Sequence, residues 1–138
     1  MIKLKNLLSE ITYPFSIYDV ILDEEDNSLL DVEYLFNTKK NSYKVIFSSK
    51  EKKGEFNVSF GINTGDFNKV DTFQMTGEGD AINILETIAK IINKFYDRYS
   101  KEIDKIIIKG TNEKRSRVYR LILPKYLNPE IKEKIEIQ

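Results

Sequence analysis

Apolar and polar residues alternate through the first half of the chain, and the period changes to that of a helix in the second. Residues 2–11 place Leu4, Leu7, Leu8 and Ile11 on one face, which predicts a short amphipathic helix ended by Pro14. Alternation then predicts strands at Phe15–Asp23, Leu29–Thr38, Tyr43–Ser49, Phe56–Ile62 and Lys69–Met75. In the second, Leu30, Val32, Tyr34 and Phe36 share a side; in the fourth, Phe56, Val58, Phe60 and Ile62 do. Short polar turns (EEDNS, KKNS, KEKKGE) join them, as in an antiparallel meander. From Asp80 to Tyr99, residues Ala81, Ile84, Leu85, Ile88, Ile91, Ile92, Phe95 and Tyr99 line one face of a helix about five turns long. Ile103–Gly110 reads as a buried strand, Thr111–Leu123 as a second helix stopped by Pro124, and Ile131–Ile137 as an edge strand. The expected fold is α+β: a single domain over residues 1–138 with a mainly antiparallel sheet of five to seven strands, one long helix and a shorter C-terminal helix.

Composition narrows the chemistry. Cysteine and histidine are absent from the 138 residues, so disulfides, thiolate metal sites, imidazole ligands and His-based triads are excluded. An enzyme built on this chain would rely on carboxylates, Tyr, Lys or backbone groups. Basic and acidic residues balance at 22 each, but unevenly along the chain. Asp19 to Glu33 carries seven acids and no base; Lys109 to Lys125 carries six bases and one acid, Glu113. Lys109, Arg115, Arg117 and Arg120 are candidates for an anion or partner contact, with Arg117 and Arg120 on one helical side. They are also candidates for pairing with Glu113 or with the acidic stretch, and as a basic segment they offer a nucleic-acid surface. Asp66 sits in a Gly loop without the oxygen-ligand spacing of an EF-hand, and no metal site is expected. No apolar run is long enough to span a membrane, and no secretory signal is visible.

Gly77 and Gly79 lie where a strand-like end runs into the long helix. Free backbone N–H groups at a helix start favour an anion. Asp80 is equally a natural N-cap, which explains the same turn without a ligand. The run Gln74-Met-Thr-Gly77-Glu-Gly79 resembles the Q-x-x-G-x-G signature of the GNAT acetyltransferase superfamily, and the resemblance extends over roughly residues 56–125. It implies a GNAT-like C-terminal half, acetyl-CoA as cofactor, Gln74, Gly77 and Gly79 around its pyrophosphate, and Tyr119 as general acid. Glu78 and Asp80 place carboxylates where that pyrophosphate would lie.

Residues 76–127 also resemble a group of small uncharacterised proteins of tailed bacteriophages. The shared features are a T-G-x-G-D-A turn, a long helix, a buried strand and an S-R-x-x-L-Y-x-R-like helix, with Val118 where that group has leucine. A related pattern occurs in a bacterial family of unknown function. The N-terminal MIKLKNLLSEI resembles the basic amphipathic leaders of virion proteins, which are cut after a Leu/Ile-x-Glu site that Leu8-Ser9-Glu10 matches; a capping helix on the sheet is the other reading. The absence of His and Cys, the acidic Gly turn and this resemblance together point to a non-catalytic protein without a cofactor, in the host cytoplasm or the virion, that acts through contacts with a phage or host protein. Acetyl-CoA-dependent acyl transfer and nucleic-acid binding through residues 109–125 stand as alternatives, and the oligomeric state stays open.

Overall fold

The computed structural model describes residues 12–63, 81–110 and 113–138. Six strands form one sheet in sequence order: β1 (Phe15–Leu22), β2 (Leu29–Asn37), β3 (Ser42–Lys52), β4 (Glu55–Ile62), β5 (Lys105–Ile108) and β6 (Ile135–Ile137). The pairs from β1 to β4 are antiparallel, as hairpin-length connections require. β4–β5 and β5–β6 are parallel, each closed by a helical crossover. The long helix α1 (Ala81–Tyr99) makes the first. α2 (Glu113–Ile122) and the single-turn α3 (Pro129–Lys132) make the second.

The sheet lays one face on α1. Ile84, Leu85, Ile88, Ile91, Ile92 and Phe95, a stripe at helical spacing, are buried against Val32, Tyr34, Phe36, Val45, Phe47, Phe56 and Ile106. Phe95 anchors this layer, stacked 3.9 Å from Phe47 and edge-on to Phe56 at 5.2 Å. Two polar ties fix the helix. Thr87 Oγ1 accepts the Tyr13 N–H at 3.0 Å, which holds the segment leading into β1. Asn93 donates to Tyr126 O and accepts from Asn128 N, both at 2.9 Å, which holds the link to β6.

The α+β class, the four-strand meander, the long helix and the shorter C-terminal helix match the sequence reading. Two details differ. Leu29, not Leu30, enters the core, because the β1–β2 register shifts between Ile21 and Leu22. Pro129–Lys132 forms a helical turn, so the last strand begins at Ile135 rather than Ile131. The sheet is mainly antiparallel, as expected, with β4–β5 and β5–β6 as its parallel pairs. The expected N-terminal helix and the Lys69–Met75 strand lie outside the described residues.

Candidate functional site

The outermost strand, β1, carries large apolar side chains in contact with solvent. Tyr18 is 59% exposed and Leu22 48%, with Ile17 and Val20 more than a third exposed. In register, Ile17 faces Tyr34, Val20 faces Val32 and Leu22 faces Leu29, so this row continues the core layer past the end of the α1 contact. Tyr18 leaves the row at a bulge, and its ring stands 5.3 Å from Lys44 Nζ on the opposite face. At the same bulge Asp19 Oδ1 accepts the Val20 N–H at 2.9 Å. An exposed apolar edge is a template for another strand. The bulge and the Asp19 bond to the Val20 N–H interrupt that template in mid-strand and leave the stretches on either side of it.

The turn after β1 concentrates negative charge. Asp23 Oδ1 accepts the Glu25 and Asp26 N–H groups, and Asp26 Oδ1 accepts that of Ser28. Asn27 takes φ 59°, a conformation asparagine tolerates. Lys53 Nζ lies 2.6 Å from Asp26 Oδ2 and, by donating to it, holds that carboxyl well below its ordinary range. Of the seven acids from Asp19 to Glu33, Asp26, Asp31 and Glu33 are ion-paired, with Lys53, Lys50 and Lys44. Asp19, Asp23, Glu24 and Glu25 have no ion pair among the described residues.

Behind β1, on the face away from α1, lies a buried charged layer. Asp31 is 1% exposed, Glu33 0% and Lys44 3%. Lys44 Nζ is 3.2 Å from Glu33 Oε1, close enough for an ion pair, but among the described residues neither Glu33 oxygen receives an aligned hydrogen bond, nor does Asp31 Oδ1. Asp19 stands directly opposite Glu33 in the β1–β2 register. Like charges opposite each other destabilise an antiparallel pair, so this row accommodates further positive charge at its β1 end.

A cleft of about 400 Å³ opens where the acidic turn meets the β3–β4 hairpin, lined by Ser28, Lys53, Gly54, Lys101, Glu102 and Asp104. Gly54 takes φ 84° there, and its carbonyl accepts the Asp104 and Lys105 N–H groups. Glu102 Oε1 accepts the Leu29 N–H at 3.3 Å. The two lysines and two carboxylates give this cleft no single charge preference.

The basic segment lies elsewhere. Lys109 follows β5 and is exposed; Arg117 is exposed on α2, Arg115 is half-buried, and Arg120 pairs with Glu113 at 3.2 Å. Among the described residues the acidic stretch finds its ion-pair partners on β3 and its hairpin, not in residues 109–125, which corrects the expectation that the basic segment pairs with it. Tyr119 is buried, its ring 5.2 Å from that of Phe60, and burial holds its hydroxyl above the ordinary value. Gln74, Gly77 and Gly79 lie outside the described residues, so the acetyl-CoA cradle does too. Among the described residues no group of three acidic side chains is placed to hold a metal, and no helix is long and apolar enough to cross a membrane.

Sequence reasoning missed the β1 edge. The signal in it is that FSIYDVIL puts apolar residues on both faces, Ile17 and Val20 on one and Tyr18 and Ile21 on the other. Among known proteins, the model of a family of unknown function (DUF6934) matches residues 18–138. No curated protein and no solved structure matches the chain.

Proposed function

The chain belongs to that family of unknown function. From its exposed edge we propose that the protein is a non-catalytic interaction module that takes an extended segment of a partner protein as an added strand on β1. The observation that carries the reading is the eight-residue apolar edge, with Ile17, Tyr18, Val20 and Leu22 in solvent. Main-chain hydrogen bonds along such an edge supply affinity, and alternate side chains supply specificity. The resemblance of residues 76–127 to tailed-phage proteins supports a partner of phage or host origin.

A photo-crosslinking residue in place of Tyr18 tests this, with one in place of Leu121 as control; Leu121 is as exposed, at 64%, but sits on α2. Position 18 is expected to give a discrete adduct in cells that express the natural partner. That adduct should disappear when Ile17 and Leu22 become Lys, while position 121 gives none. Adducts only from position 121, or an adduct indifferent to the Lys pair, would sink the reading.

A further inference from the structure

Strand addition on β1, if it is the protein's function, leaves open what kind of segment is added. We infer that the occupant is a basic extended segment that alternates apolar residues with Lys or Arg, and not a second copy of this chain. The inference rests on the reading above and on charge. Four acids at and beside the edge, Asp19, Asp23, Glu24 and Glu25, have no ion pair among the described residues. No base lies between Asp19 and Glu33.

The two faces of the edge make different demands. On the α1 side, Ile17, Val20 and Leu22 form a row open to solvent. An added strand that sets apolar residues beside them extends the core layer and removes that surface from water. On the other side, Asp19 faces Glu33, and Asp31 follows two residues along β2. The added strand's residues on this side line up beside Asp19, where a cation is favoured and an acid is opposed. Glu24 and Glu25 reach past the end of β1 and extend the same preference along a segment longer than the strand. Period two therefore separates apolar and basic positions on the occupant.

A second copy fits poorly. β1 runs from Phe15 to Leu22, so its midpoint falls between Tyr18 and Asp19. A two-fold antiparallel pairing over the whole edge brings the two Asp19 carboxylates to the centre of the interface, nearly opposite each other. Both acidic turns then flank a seam that contains no base from β1.

The test uses the full chain and three eight-residue peptides, matched to β1 in length. The first alternates Lys and Val and is N-methylated along one edge so that it cannot pair with itself. The second has Glu for Lys, and the third is Lys–Val methylated along both edges. Fluorescence anisotropy reads affinity, and amide hydrogen exchange reads protection of β1. The first peptide is expected to bind and to protect β1 amides. The third should fail to protect them. Glu24→Lys with Glu25→Lys, both at an exposed turn, should weaken the first peptide about three- to tenfold. Salt raised from about 0.05 M to about 0.5 M should weaken it further.

Equal binding of the Glu–Val peptide with the same protection overturns the basic occupant and leaves strand addition standing. Protection that grows with protein concentration alone, with a doubled mass, gives the edge to a second copy and overturns the inference. If no peptide protects β1, or the doubly methylated one binds as well as the first, strand addition falls too.

Discussion

Replacing Lys44 by Met isolates the charged layer behind β1. The Glu33 side chain is 0% exposed and that of Lys44 4%, with 3.2 Å between their charged atoms. Deleting one member of such a pair leaves the other charge buried and uncompensated, at a cost of about 3–5 kcal/mol. A surface pair would cost about 0–1 kcal/mol. At roughly 3 °C per kcal/mol for a chain of this size, Lys44→Met should lower the melting temperature by about 10 °C or more. Lys44 also stands over the Tyr18 ring, so part of the loss reports that contact. The double variant Lys44→Met with Glu33→Leu separates the two. Among the described residues neither Glu33 oxygen receives an aligned hydrogen bond, so the native pair already bears part of its desolvation cost. Exchange of both residues for apolar ones should recover most of the single loss. Urea unfolding reads this as a shift in midpoint at constant slope. A single variant that costs under about 1 kcal/mol would refute the reasoning, because Glu33 would then have another source of compensation. So would a double variant as unstable as the single.

Gly110→Ala should destabilise by about 1–3 kcal/mol in urea, because the new methyl would stand 2.5 Å from Ser116 Oγ and 2.6 Å from Ser116 N. Ser116→Ala in the same chain should not rescue it, since the backbone contact remains; full rescue would show that the clash is with the hydroxyl alone. The Asp26–Lys53 and Glu136–Lys105 pairs hold both carboxyls below their ordinary values of 3.8 and 4.5 and both amines above 10.5. The carboxyl share of stability is present above about pH 4 and is lost as pH falls through the depressed values, while the amine share is lost only above about pH 10. Asp26→Asn with Glu136→Gln should therefore flatten the acid limb of a stability–pH curve, and an unchanged limb would contradict this. Acetyl-CoA at about a millimolar should leave the melting temperature unmoved. A shift of several degrees, expected from any ligand that binds only the native state, would reinstate the acyltransferase alternative around Gln74, Gly77 and Gly79.

What the sequence made legible were the elements whose pattern is local. Eight apolar positions at helical spacing define α1, and strict alternation defines β4, because each side-chain direction follows from the backbone period alone. The position of a strand within the sheet is not local. Alternation in DVEYLF gives Asp31 and Glu33 the face away from Tyr34 and Phe36, which reads as solvent. Their burial, and their pairing with Lys44 and Lys50 of the neighbouring strand β3, are not written in that local pattern. The direction of β5 is likewise hidden, because a run such as KIII is buried equally well in parallel or antiparallel pairing. The basic segment was visible as charge, but its separation from the acidic stretch follows only from the crossover that carries α2.

The same non-local order separates the two edges of the sheet. β6 at one end spans three residues, paired on its inner side with β5. β1 at the other end spans eight, with apolar side chains in solvent and, beside them, acids that have no ion pair among the described residues. A sheet with two long open edges grows without limit, since each added copy presents a new edge. If a strand is taken up on β1 as proposed, the described β6 offers no edge of equal length. On that reading the acids at β1 repel the protein's own copies while they admit a different chain. Acids beside a hydrophobic row repel like edges and attract a basic one.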